Sequence, residues 1–227
     1  MTLSGIRAVV FDKDGTLIDV HATWGPAMAA ALTDVVEDPA LRAEAASAIG
    51  VDLASNELAV DSPIIAASND QIIELLAPVL GVEPAAFLPR FEERLFFHAE
   101  GTVQPLPGVA ETLQAVAELG CWIGLATNDA EASARQQMAG LGWIDRFDSV
   151  VGYDSGFGAK PGPGMLLASA ERAGTDPARV VMVGDTDTDM RTAAAAGCPS
   201  VLVHAPVGAV EPTVHLHDLT ELAALLA

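Results

Sequence analysis

Short apolar runs that stop abruptly at polar clusters organise this sequence. Arg7 to Phe11 (Arg-Ala-Val-Val-Phe) runs into Asp12-Lys13-Asp14-Gly15-Thr16. Trp122 to Ala126 runs into Thr127-Asn128-Asp129, and Val180 to Val183 runs into Gly184-Asp185-Thr186-Asp187. Val201 to Val203 runs into His204. Apolar runs of this length, bounded by turn-forming residues, read as buried strands. Helix-like stretches follow them, among them Glu131 to Ala139, Pro163 to Ala173 and Asp189 to Ala196. Strands alternating with helices predict an α/β fold, a doubly wound, Rossmann-like parallel sheet covered on both faces. Ligands in such sheets bind beyond the carboxyl ends of the strands. Three of the polar clusters fall at those ends.

The alternation fails between about Val20 and Thr102. Trp24 to Val36, Pro39 to Ile49, Asn69 to Leu80 and Pro84 to His98 read as helices, with Ser68 or Asn69 and Glu83 as entry positions. Little of this stretch reads as strand. It predicts a helical insert over residues 20–102 between the first two core strands, with the α/β core formed by residues 1–19 and 103–227. Pro105-Leu-Pro-Gly108 punctuates the return to the core.

Composition narrows the function classes. With 227 residues, 51% of them hydrophobic, the chain is long enough for one core domain and a smaller insert. Eleven Lys plus Arg against 31 Asp plus Glu give a formal net charge of −20. Such a balance argues against nucleic-acid binding, which needs basic stripes, and against an anionic membrane surface. No stretch approaches the length of a membrane span, and the residues before Asp12 leave no room for a signal peptide's apolar region. A cytoplasmic location is expected. Cys121 and Cys198 sit in apolar surroundings and are expected to be reduced, buried thiols rather than a disulfide or a nucleophile. An acidic chain with an anionic substrate would need local cations to overcome its own field.

The clusters supply candidates for that chemistry. Asp12 and Asp14 place two carboxylates at i and i+2, and Gly15 permits the bend that would turn both towards one pocket. Close carboxylates repel unless a cation joins them or one holds a proton. Alone, the tripeptide leaves open a polar loop with two exposed aspartates. Asp185, Asp187 and Asp189 add carboxylates after a second strand, the oxygen ligands that Mg²⁺ prefers. An EF-hand is excluded, because Met190 stands where that loop needs Gly and Ala196 where it needs Glu. Lys160, one of only two lysines, lies in Phe157-Gly-Ala-Lys-Pro-Gly162, where a cation could neutralise a phosphoryl group or simply sit in water. The flanking glycines match neither a P-loop nor a dinucleotide loop. Thr127-Asn128 offers a hydroxyl and backbone N–H groups to a phosphate, or is merely a turn.

Taken in order, these clusters resemble the haloacid dehalogenase superfamily. Phe11-Asp12-Lys13-Asp14-Gly15-Thr16-Leu17-Ile18-Asp19 is similar to its first motif, Thr127-Asn128 to the second, Lys160-Pro161 to the third, and Gly184-Asp185-x-x-x-Asp189 to the fourth. Pro107-Gly108-Val109 to Asn128 resembles its re-entry segment, and the insert resembles its helical cap, which suggests a small substrate sealed from water. The resemblance implies that Asp12 is a nucleophile forming an aspartyl-phosphate and Asp14 the general acid/base. It implies Mg²⁺ held by Asp12, the Asp14 backbone carbonyl and Asp185. Thr127 and Asn128 would bind the phosphoryl oxygens, and Lys160 would act in catalysis and substrate binding, steadied by Asp189. Asp14 argues against dehalogenation, and an insert without lysine argues against phosphonate cleavage. His21 and Trp24 are read as a hinge residue and a helix-packing residue, with pocket lining as the alternative; Asp187 binds metal or only solvent. The expected activity is a Mg²⁺-dependent phosphatase for a small phosphorylated metabolite, phosphoglycolate-phosphatase-like. A sugar phosphomutase and a receiver-like phosphoacceptor module are the competing readings.

Overall fold

A computed structural model describes residues 3–65 and 67–227. The chain forms, in order, β1 (Ala8–Phe11), α1 (Val20–Val35), α2 (Pro39–Ala48), β2 (Val51–Asp52), β3 (Glu57–Leu58), α3 (Asn69–Leu80), α4 (Pro84–Ala99) and α5 (Val109–Glu118). It continues through β4 (Trp122–Ala126), α6 (Glu131–Gly140), β5 (Ser149–Val151), α7 (Gly164–Arg172) and β6 (Val180–Gly184). Last come α8 (Asp187–Ala196), β7 (Ser200–Val203), β8 (Val214–Leu216) and α9 (Leu222–Leu226). The chain divides into two compact units, Met1–Ile18 with Pro105–Ala227, and Asp19–Gln104. The division falls one residue before the expected boundary at one crossing and two after it at the other.

The first unit is the α/β core. Its six strands are ordered β5-β4-β1-β6-β7-β8 and every neighbouring pair is parallel. The chain steps outward from β1 through β4 to β5, then crosses to β6 on the other side of β1. This reversal makes a switch point between β4, β1 and β6, where ligands bind in such sheets. β1 and β6 are buried along their whole length, which explains their unbroken apolar runs. One sheet face packs Ala8, Val10, Val180 and Met182 against Met165 and Leu166 of α7 and Ala193 of α8.

The sequence did not announce β5 and β8. Each has only three residues, too few for a period to emerge, and each lies at an edge of the sheet. α8 begins at Asp187, two residues earlier than expected, because Thr186 and Asp189 form its capping box.

The second unit is mainly helical. Trp24, Met28 and Leu32 of α1 share a core with Ile72, Ile73 and Leu76 of α3 and with Phe91 and Leu95 of α4. Trp24 is therefore a packing residue, whereas His21 is exposed. α1 starts at Val20 rather than Trp24, because the Asp19 carboxylate accepts from His21 N and Ala22 N and caps it there. The insert is helical apart from β2 and β3, which form a short antiparallel hairpin within it. Its turn is set locally. Asp52 Oδ1 accepts from Ala54 N at 2.8 Å, and Asn56 adopts a positive φ of 61°. Two-residue strands leave no alternation to read. No single helix among the described residues is long and apolar enough to cross a membrane.

Candidate active site

Three adjacent strand ends assemble the site. Asp12 directly follows β1, Thr127 follows β4, and Asp185 follows β6. Register offsets them by a single residue, since Phe11 pairs with both Leu125 and Val183, which sets Asp12 beside Ala126 and Gly184. Hydrogen bonds extend the ladder one residue further. Asp12 N donates to Val183 O at 2.8 Å, and Thr127 N donates to Val151 O at 3.0 Å. The first residue beyond β1 and the first beyond β4 are thus tied to the sheet by their own backbone.

Lys160 joins these ends. Its Nζ donates to Asp12 Oδ1 and to Asp189 Oδ1, each at 2.6 Å, and all three side chains are buried. Asp189 is fixed from its other oxygen, where Oδ2 accepts from Thr186 Oγ1 at 2.7 Å and Thr186 N at 3.1 Å. Asn128 fixes the lysine's backbone. Its Oδ1 accepts from Lys160 N at 2.8 Å and its Nδ2 donates to Lys160 O at 3.1 Å. The Lys160–Pro161 peptide is cis.

Carboxylate oxygens of Asp12, Asp185 and Asp189 lie within 4.8 Å of one another. Against one ammonium, the three carboxylates leave a formal charge of −3 + 1 = −2. The imbalance is visible in the titration of the group. The Asp12 carboxyl is pushed up to about 7, chiefly by burial; Lys160 pulls against this, while Asp189 and Asp14 add to it. Asp185 is raised well above the ordinary carboxylate range by burial, then by Asp12 and Asp189. Lys160 is raised as well: burial works against its charge, and Asp12 with Asp189 outweigh it. A divalent cation fits this donor set, which is all oxygen and short of two positive charges. Two glycines make room for it to form. Gly15 has φ +81°, and a Cβ there would lie 2.1 Å from Asp185 Oδ2. A Cβ at Gly184 would lie 2.4 Å from the Asp189 carboxyl carbon.

Asp14 stands apart from that group. Lys13 Nζ contacts its Oδ2 at 2.9 Å and Oδ1 at 3.2 Å. Thr127 Oγ1 accepts from Asp129 N at 3.0 Å, which leaves its hydroxyl proton to donate elsewhere. Asp187 has a different task from its neighbours. Its Oδ1 accepts from Val210 N at 2.8 Å and its Oδ2 from Arg191 Nε at 2.6 Å, so it ties the loop before β8 to α8. Both cysteines are free. Burial pushes the Cys198 thiol up to about 11, with Asp176 adding to it, so it is not a thiolate at neutral pH.

Sequence reasoning passed over Thr16 and Lys13. Thr16 Oγ1 donates to Asp185 Oδ1 at 3.0 Å. Lys13 is completely buried and bonded to Asp129 and Gln137 as well as to Asp14. The signal available was Asp129, Ser133 and Gln137 at spacings of four, which one helix face would bring together.

Comparison with known proteins bears on the chain as a whole. The family model of haloacid dehalogenase-like hydrolases matches residues 6–197. A phosphoglycolate phosphatase of Xanthomonas campestris is 32% identical over 195 residues, covering 86% of this chain and 81% of that protein. The solved structure of a predicted phosphoglycolate phosphatase from Haemophilus somnus has a TM-score of 0.73 at 20% identity, covering 97% of this chain and 98% of its own. A defluorinating L-2-haloacid dehalogenase has a TM-score of 0.61, also at 20% identity, covering 97% and 95%. The fold is therefore shared across different chemistries, and the site residues must separate them.

Proposed function

The chain belongs to the haloacid dehalogenase-like hydrolase family and is a phosphoric monoester hydrolase, and from that premise we propose a Mg²⁺-dependent phosphatase acting on a small phosphorylated metabolite of the phosphoglycolate kind. The observation that carries the reading is buried Asp12, 2.6 Å from Lys160, in a three-carboxylate group short of two positive charges. Dehalogenase chemistry is disfavoured by Asp14, which supplies a proton carrier two residues from the nucleophile.

Asp12 attacks phosphorus, and the bond from phosphorus to the leaving oxygen breaks. Asp14 gives its proton to that oxygen. Asp14, now a carboxylate, takes a proton from water, whose oxygen attacks the phosphorus of the aspartyl-phosphate; inorganic phosphate leaves and Asp12 is restored. Mg²⁺, held by Asp12, Asp185 and the Asp14 carbonyl, would keep the buried carboxylates ionised and offset charge on the phosphoryl oxygens. Lys160 supplies fixed positive charge beside the attacking carboxylate, and Asp189 holds the lysine there. The Thr127 hydroxyl and the Asn128 backbone N–H receive the phosphoryl oxygens. The helical unit Asp19–Gln104 is read as the cap that limits substrate size.

Steady Mg²⁺-dependent turnover of p-nitrophenyl phosphate, lost in Asp12→Asn, tests the reading. A panel of phosphorylated metabolites that includes phosphoglycolate then ranks substrates. A stable stoichiometric phosphoprotein without turnover, or dependence on a sugar bisphosphate, would overturn it.

A further inference from the structure

The steps above leave one buried ionic network unused. Lys13 Nζ lies 2.9 Å from Asp14 Oδ2, 3.0 Å from Asp129 Oδ2 and 2.5 Å from Gln137 Oε1. A fully buried lysine needs a counter-charge, and one carboxylate would supply it. Here there are two, and Asp129 is itself fixed from α6. Its Oδ2 accepts from Ser133 Oγ and its Oδ1 from Ala130 N, each at 2.7 Å. Gln137 is arranged around the same ammonium. It turns Oε1 to Lys13 and leaves Nε2 as the one buried side-chain nitrogen or oxygen among the described residues with no hydrogen-bond partner. An orphaned buried donor is unfavourable. The opposite amide orientation would be worse, because it aims an N–H at a cation. Asp129, Ser133 and Gln137 thus brace Lys13 from the α6 side, and the same ammonium reaches Asp14.

We infer that Lys13, held by Asp129 and Gln137, is a positioning residue that fixes the Asp14 carboxylate for proton transfer; this rests on the reading of Asp14 as the general acid/base. Asp14 follows Asp12 by two residues on a loop that turns at Gly15, and a cation held by the Asp12–Asp185–Asp189 group would attract its carboxylate. Captured there, its carboxylate would be a ligand rather than a proton carrier. A proton carrier must stay within hydrogen-bond reach of the leaving oxygen, and misplacement by about 1 Å costs on the order of 10²-fold in rate. Lys13 holds both Asp14 oxygens and so opposes that capture.

The test is Mg²⁺-dependent hydrolysis of an aryl phosphate series running from 2,4-dinitrophenyl to phenyl phosphate. Good leaving groups depart without an acid, whereas phenolate needs one. Lys13→Met is expected to lose at least about tenfold more kcat/KM, which reports only the half-reaction in which the leaving group departs, on phenyl than on dinitrophenyl phosphate. Since that variant leaves Asp129 buried without its cation, Lys13→Met/Asp129→Asn is made alongside. The double variant should regain Tm relative to the single one and keep the leaving-group defect. Equal losses across the series, or a double variant with wild-type leaving-group dependence, would overturn the inference, since Lys13 would then only neutralise Asp129. Asp14→Asn separates the two levels. It should show the steepest dependence of all; wild-type dependence in that variant would remove Asp14 as the acid and the inference with it.

Discussion

Lys160 Nζ stands 2.6 Å from Asp12 Oδ1, across 148 residues of sequence. The pair is buried, and neither partner is tolerable there alone. Lys160→Met is therefore expected to lower kcat by about 10²–10³-fold with Mg²⁺ present. Steady-state kinetics on p-nitrophenyl phosphate reads the rate, and a Mg²⁺-free melt should show a lower Tm.

Asp12 should couple stability to pH and to metal. Its carboxyl titrates at about 7 in the folded chain, against 3.8 ordinarily, with burial the main cause. Between those values the folded chain holds the proton that the unfolded chain has released. Stability from this group is therefore full below the lower value and is lost as pH rises through the higher one. Mg²⁺ competes with that proton. Differential scanning fluorimetry should show a larger Mg²⁺-induced rise in Tm at about pH 8 than at about pH 5.5. Equal rises would refute the coupling. Asp12→Asn should abolish turnover and flatten the Mg²⁺-free dependence on pH.

Asp14→Asn is expected to slow both half-reactions, dephosphorylation included. With dinitrophenyl phosphate, whose leaving group needs no acid, the phosphoenzyme should accumulate, and acid-quench trapping would detect it. Its absence would argue that water is activated by another group.

Asp185 and Asp187 should respond oppositely to substitution. Asp185→Asn removes a carboxylate from the cluster and should raise the half-activating Mg²⁺ concentration by about tenfold or more. Asp187→Asn touches only the loop anchor to Val210 and Arg191, so that concentration should stay within about threefold of wild type. Mg²⁺ titrations of both variants decide the matter.

Gly15→Ala places a Cβ at positive φ, 2.1 Å from Asp185 Oδ2. The backbone strain is worth about 1–3 kcal/mol. Activity should fall further than stability, because the displaced atom belongs to the cluster. Thermal melts and kcat measured on the same preparation separate the two effects.

The linear order of residues determined the central strands, the helical insert and the identity of the polar clusters beyond β1, β4 and β6. Those features are local, because buried parallel strands are apolar along their whole length and the residues after them are not. Sequence was silent on β5, β8 and the β2–β3 hairpin, since two or three residues carry no period and pairing comes from elsewhere in the chain. The three central strand ends lie side by side because β1 sits between β4 and β6, which sequence order conceals. Only tertiary structure turned Asp187 towards a loop and buried Lys13 between Asp14, Asp129 and Gln137, and it set Lys160 between Asp12 and Asp189, the second of which the family resemblance had implied. A lysine in a sequence is by default a solvated charge. Its burial, and the partners that make burial possible, come from folding segments more than a hundred residues apart onto one another.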